Sequence, residues 1–257
     1  MPLIVGTSGW QYRDWRGVLY PEGLPQRAWL KRFAEDFPAV EVNNAFYRLP
    51  ERAVFERWRE ETPPGFVFAV KVSRYLTHIK RLRDPAEPVA RLTSRADGLG
   101  DRLGPYLLQL PPNLRASTDA LDDCLACFPR GTRVAVEPRH DSWWTDDVRD
   151  VLSRRHAALC WADRLGRPVT PLWRTADWGY VRMHEGTASP RPSYGRTALG
   201  TWLDRMDAAW DLTSAAADVF VFFNNDGGGA AVRNARTLCR MAGRRAMVVA
   251  AAPPVPA

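Results

Sequence analysis

An α/β barrel of eight parallel strands, a single (β/α)8 TIM barrel, is the fold class this sequence predicts, on three observations. Eight short apolar runs rich in β-branched residues recur along 257 residues. Amphipathic stretches with helical period separate most of them. Polar residues crowd the C-terminal end of every run, where a barrel of this kind carries its chemistry. Strands alternating with helices imply a parallel sheet, because parallel neighbours need a crossover. The length suits one such barrel.

The runs lie at 3–7, 39–43, 66–72, 106–110, 133–137, 158–162, 179–183 and 218–224. Between them, 25–37 places Leu30, Phe33, Ala34 and Phe37 on one side, with Pro25 near its first turn. The stretch 51–61 aligns Val54, Phe55 and Trp58. Ser117 and Thr145 stand where helices at 117–128 and 145–155 need an N-cap, each with acidic residues in its first turns. The last helix, 228–243, is expected to end on Gly243. A doubly wound open sheet is the competing architecture. It would carry a G-x-G-x-x-G turn after the first strand, and GTSGW is not one. Residues 1–250 therefore read as one barrel domain and 251–257 as a Pro/Ala-rich tail, with fraying expected in VVAAAPPVPA.

Composition narrows the classes. Hydrophobic residues make up 46% and charged residues 25%, ordinary for a globular chain. The formal net charge of +7 favours anionic partners. Of 36 Lys and Arg residues, only Lys31, Lys71 and Lys80 are lysine, so the basicity is an arginine habit and forms no basic arm. No apolar run approaches the ~18 residues of a membrane span, and the start lacks the basic n-region of a signal peptide. Four cysteines, two of them a CxxC (Cys124, Cys127) inside a helical stretch, fit a reducing cytoplasm better than a zinc site.

Alternation along a strand puts residues two apart on one face. Glu41 and Asn43 therefore point together, as do Lys71 and Ser73, Glu137 and Arg139, and Arg182 and His184. A buried parallel strand should be apolar nearly throughout, so a charge inside AVEVNN or FAVKVS needs a partner or a task. Glu41 with Lys71, and Glu137 with Arg182, are the ion pairs that neighbouring strands suggest.

Several stretches together resemble one family, the domain-of-unknown-function 72 or YecE-like proteins. They are GTSGWQYRDWRGVLYP, VEVNNAFYRLP, FVFAVKVSRYLTHIKRL, LGPYLLQLPPNL, VAVEPRHDSWW, YVRMHEG and VFFNNDGGGAAVRNA. They follow one another over nearly the whole chain. The resemblance implies a TIM barrel, similar in outline to the sugar isomerase and apurinic-site endonuclease barrels, and no established activity. Ala45 departs from the Thr usual in the family's NSTFY-like motif, and 164–178 matches little.

The strand ends give a candidate site. Glu41, Glu137 and His184 are the candidate catalytic acids and bases. Trp10, Arg13, Trp15, Asn43, Lys71, His78, Gln109, Arg139, His140, Arg182, Asn224, Asn225 and Asp226 are the candidate substrate contacts. The cations would grip a phosphate or carboxylate, the asparagines orient hydroxyls, and Trp10, Trp15 and Trp143 supply stacking walls. The glycines after Asp226 precede a helix whose N-terminus suits an anion. Exchange of Lys71 and Arg182 for Ala is expected to abolish ligand binding with little change in melting temperature.

Two alternatives stand beside the small-anion site. A metal-dependent phosphodiesterase or isomerase would draw on Glu41, Glu137, Asp163 and His184 for a divalent ion. The interleaved cations disfavour it, and no residue is assigned to a metal. A basic, Trp-rich face would suit single-stranded nucleic acid.

Overall fold

The computed structural model describes residues 3–214 and 216–254. Ten strand segments form one curled, mostly parallel sheet among the described residues. In chain order they are β1 (Leu3–Ser8), β2 (Ala39–Val42), β3 (Val67–Lys71), β4 (Leu103–Gln109), β5 (Val134–Glu137), β6 (Ala158–Leu159), β7 (Trp161–Arg164), β8 (Arg167–Pro168), β9 (Gly179–Met183) and β10 (Val219–Phe223). The spatial order is β6-β5-β4-β3-β2-β1-β10-β9-β7-β8. The expected run at 158–162 is interrupted at Cys160. β6 pairs with β5, whereas β7 pairs with β9 on the other flank. The Cys160 N–H still donates to Val136 O at 2.8 Å. β8 is a short antiparallel return on β7 that periodicity did not announce.

The helices are α1 (Trp29–Ala34), α2 (Asn44–Tyr47), α3 (Arg52–Glu60), α4 (Ala86–Ala96), α5 (Thr118–Ala126), α6 (Asp146–Arg154), α7 (Arg196–Trp210) and α8 (Ala230–Arg244). Ser117 and Thr145 cap α5 and α6, their side chains accepting from the Ala120 and Val148 amides. α8 continues past Gly243, which is an interior residue and not the expected cap. Cys124 on α5 and Cys127, its C-cap residue, are free thiols. No helix among the described residues is long and apolar enough to cross a membrane.

Two apolar clusters show which way each strand faces. Val5, Val40, Val70, Leu108, Val136, Leu159, Val181 and Val221 belong to the larger one, shared with the helices. Their alternate neighbours Ile4, Ala39, Ala69, Leu107, Ala135, Ala158, Tyr180, Phe220 and Phe222 meet in a separate cluster on the inner face of the curl. Residues two further along keep that inward aim. Ser8, Glu41, Lys71, Gln109, Glu137 and Arg182 are therefore the next inner layer, brought together by strand alternation.

Backbone crowding tightens the curl at one point. Gly6 pairs with Ala39 across β1 and β2, and a Cβ at Gly6 would fall on the Ala39 carbonyl. Overpacking of this kind costs about 1–3 kcal/mol. Gly6→Ala should lower the melting temperature by about 2–4 °C for each kcal/mol; an unchanged thermal transition would show that the two strands can separate there freely.

The chain end is held longer than expected. Leu3 N donates to Val248 O and Ala250 N to Leu3 O, so 248–250 line up beside β1 before the tail departs. The last three residues of that tail, 255–257, lie outside the described residues.

Candidate functional site

Arg182 sits at the centre of the inner polar layer, 1% exposed. Its Nη2 donates to Glu41 Oε1 at 2.8 Å and its Nη1 to Glu137 Oε2 at 2.7 Å. Glu41 also accepts from the Ser8 hydroxyl at 2.8 Å and the Tyr180 hydroxyl at 2.6 Å. Glu137 accepts from Gln109 Nε2, from Arg139 Nε and Nη2, and from His184 Nε2, all at 3.0–3.2 Å on Oε1. The expected pairing of Glu41 with Lys71 is not found. Arg182 takes both carboxylates, because its planar fork reaches two strands where an ammonium offers a point charge.

These contacts set the protonation states. Burial alone would raise the Glu41 carboxyl, but Arg182, the Tyr180 hydroxyl and Lys71 outweigh it and hold Glu41 below its ordinary range. Glu137 is held well below, for burial is again outweighed, here by Arg182, His184 and Arg139. Both are saturated anions and poor proton acceptors. Burial keeps His184 below its usual value, against the pull of Glu137. Asn224 Nδ2 lies 2.9 Å from His184 Nδ1. With that amide donating, the ring proton sits on Nε2, facing Glu137, and the imidazole is neutral. The His184 amide donates to Asp163, whose carboxylate also receives the Tyr194 hydroxyl. Burial, only partly offset by Tyr194, lifts Asp163 to about 6.

Lys71 closes the layer differently. It is 9% exposed, and its Nζ stands 4.1 Å over the Phe46 ring. No carboxylate lies within 4.0 Å of it among the described residues. Burial, then Arg182, pull its ammonium down to about 8 against Glu41 and Glu137. His78 packs T-shaped against Phe46 and is lowered by burial and by Lys71, Arg74 and Arg139. Asp226 follows β10. Burial lifts its carboxyl to about 7, with Glu41 and Asp14 adding to the rise and Tyr12 opposing it. Its Oδ1 is buried without a hydrogen-bond partner, as are Asn43 Oδ1, Asn225 Oδ1 and Arg182 Nε.

Other candidates fall elsewhere. Trp15 is fully buried, its Nε1 donating to Asp226 O while Tyr12, Tyr20 and Phe33 pack around the ring. Trp10 is buried edge-on against Trp58. Trp143 is fully buried and donates to Leu114 O. None offers a free face for stacking, because long aromatic side chains leaving the first and fifth loops fold back beneath them. Arg13 is exposed on the first loop. His140 turns back to accept from the Ser142 amide. Asn225 Nδ2 is committed to Pro192 O and Asn234 Oδ1 and holds the loop after β10. The Gly228 amide at the start of the last helical segment already has an anion, Asp14 Oδ2 at 2.6 Å. Gly228 and Gly229 adopt positive φ there, which favours glycine.

Sequence reasoning missed Tyr180, Tyr194 and Tyr12. Tyr180 was recoverable, since it stands two residues before Arg182 on the same face. Tyr194 reaches Asp163 from a loop with no periodic signal. Among the described residues no three His, Cys, Asp or Glu side chains converge as a metal site. The place where Glu41 and Glu137 meet is filled by the Arg182 guanidinium.

A curled, mostly parallel sheet with an ionised, partly unsatisfied polar layer at its strand ends defines an α/β protein. Residues 4–257 match the model described as "Protein of unknown function DUF72", and the chain belongs to that family. It is 30% identical over 143 residues to the UPF0759 protein YecE of Escherichia coli K12, a match that spans 55% of this chain and 50% of that protein. It is 24% identical over 274 residues to the UPF0759 protein YunF of Bacillus subtilis 168, covering 93% and 94% of the two chains. The crystal structure of a DUF72 family protein from Thermotoga maritima superposes with a TM-score of 0.80 at 28% identity, covering 95% of this chain and 100% of that one. A fusion protein described as xylose isomerase-like TIM barrel/4-hydroxyphenylpyruvate dioxygenase shares the fold at TM-score 0.53 and 14% identity, over 99% of this chain and 47% of its own.

Proposed function

We propose that this protein binds a small anionic ligand, a phosphorylated or carboxylated metabolite, at the strand C-terminal ends and acts on it by proton transfer. One observation carries the reading: Lys71 is buried at the site without a carboxylate within ion-pair distance among the described residues. Its positive charge is left for a ligand. Within the layer Glu41 and Glu137 balance Arg182 and Lys71, and Arg139 at the rim adds one further positive charge. The architecture proposed is one (β/α)8 domain over residues 1–250, with β6 and β7 serving as a single sixth strand interrupted at Cys160. Their pairing to β5 on one side and β9 on the other supports it. Four free cysteines suit a reducing cytoplasm.

The roles follow from the contacts. Glu41 and Glu137 fix Arg182 and are positioning residues. His184, neutral, is the proton-transfer residue: a ligand that displaces the Asn224 amide frees its Nδ1 lone pair to accept a proton. Arg139, half-exposed at the rim, grips the anion with Lys71. Gln109 orients Glu137. The metal-dependent reading loses support, because a cation beside Arg182 and Lys71 would face repulsion. The nucleic-acid reading loses its stacking platform with Trp10, Trp15 and Trp143 in the core.

Thermal shift with inorganic phosphate tests the site directly. At a hundred times the dissociation constant, binding should stabilise the protein by about 2.7 kcal/mol. Lys71→Met should abolish that response and leave the unliganded melting temperature within about 2 °C, since no ion pair is lost. A response that survives Lys71→Met would place the anion elsewhere.

A further inference from the structure

We propose that Lys71 is a nucleophile, its Nζ forming an imine with the carbonyl carbon of an anionic aldehyde or ketone held at the strand ends. The inference rests on the anion-site reading above and assigns the ligand a carbonyl group. Four observations meet here.

The first is placement. Lys71 ends β3 on the inner face and is 9% exposed. The second is the lack of a partner. Nζ has neither an ion pair nor a hydrogen bond among the described residues, and its neighbour is the Phe46 ring face, which accepts no proton. Lys80, by contrast, pairs with Asp84, and Lys31 is exposed. The third is the electrostatic surround. Glu41 and Glu137, which would otherwise hold the ammonium charged, are both taken by Arg182. Arg182 and Arg139 then face Nζ as like charges, and burial removes its water. The fourth is composition. Among 36 basic residues only three are lysine, and one of them is here. An anion site alone is better served by arginine, whose fork binds carboxylate and phosphate through two bonds. A guanidinium cannot release its proton at ordinary pH, and amine chemistry requires lysine.

The step balances without an oxidant or reductant. The ammonium gives one proton to water, and the freed lone pair adds to the carbonyl carbon. The C=O π pair moves to oxygen, which takes up the second amine hydrogen to give a carbinolamine. Protonation of that hydroxyl lets it leave as water as the C=N bond forms. Ammonium and carbonyl have become iminium and one water, with no net change in protons.

Reductive trapping tests this. The full-length protein is incubated with pyruvate and, separately, with glyceraldehyde 3-phosphate in the presence of cyanoborohydride, then mapped by peptide mass spectrometry. The expected result is one adduct, on Lys71. Its rate should rise about tenfold per pH unit below about 8 and level off above, whereas an ordinary lysine keeps rising toward its pKa near 10.4. Lys71→Arg removes the amine and should lose the adduct, and the thermal response of the wild-type protein to phosphate is followed in parallel. That separates the two readings: loss of the phosphate response in wild type sinks the anion site, whereas an intact response without an adduct sinks the imine alone. Labelling spread evenly over Lys31, Lys71 and Lys80, or no more on wild type than on Lys71→Arg, overturns the assignment.

Discussion

Arg182→Met should cost about 3–5 kcal/mol of stability, because it leaves two buried carboxylates facing each other without their common cation. For a chain of this length that is a fall of about 6–20 °C in melting temperature, at about 2–4 °C per kcal/mol. The guanidinium bridges Glu41 and Glu137 at 2.8 and 2.7 Å, and all three side chains are at most 1% exposed. Removing one member of such a triad is far worse than replacing all three. In a Glu41→Gln, Glu137→Gln background the same Arg182→Met change should therefore cost less than about 1.5 kcal/mol. Chemical denaturation of the four variants gives the coupling energy as a cycle. Equal costs in the two backgrounds would show that the carboxylates are hydrated and independent. This replaces the expectation, drawn from sequence, that Arg182 can be removed without harm to the fold. Only Lys71 remains a neutral probe of binding.

Asp226→Asn should stabilise the protein at pH 8 and leave it nearly unchanged at pH 4. The Asp226 carboxyl is lifted to about 7 by burial, with Glu41 and Asp14 adding to the rise. In the unfolded chain it ionises near ~3.9. The folded state thus binds the proton more tightly, and stability from this group is complete below ~3.9 and is lost as pH climbs through about 7. Above that, the folded protein must keep a buried carboxylate charged. Three pH units correspond to about 4 kcal/mol, and solvent screening of a partly exposed group reduces that to roughly half. Asparagine removes the titration and keeps the shape. Asp163, lifted to about 6, slopes the same way, whereas Glu41 and Glu137, both lowered, add stability as pH rises. The difference between variant and wild type isolates Asp226. A difference that is the same at pH 4.5 and pH 8 would show that the carboxyl is ionised throughout.

Much of the layer was legible in the strands themselves. Glu41, Lys71, Gln109, Glu137 and Arg182 each stand two residues after an inward apolar neighbour, and period-two alternation is enough to gather them. The strands pair Glu137 with Arg182 as found, but do not encode that Glu41 goes to Arg182 as well. Glu41 and Lys71 look like partners in sequence, yet side-chain length and the planar fork of arginine decided for Arg182. The tryptophans were misjudged for a related reason. Trp15 and Trp143 follow strand ends, where side chains are free to turn either way, and burial of a large ring outweighs its exposure. The break at Cys160 has no local signature. It arises because one short segment must pair with β5 at its start and with β9 two residues later, a demand set by distant parts of the chain.

The contacts of the first loop carry a consequence in time. β1 pairs with β10, Trp15 donates to Asp226, and Asp14 receives Gly228, contacts that join residues more than two hundred positions apart. Such pairings are slow to form and have no local substitute. A ribosome releases β1 long before β10, so β1 waits with one edge open and Trp15 without its acceptor. Closure of the curl at β1 therefore waits on the later strand. That open edge is where a nascent chain most needs protection from its neighbours.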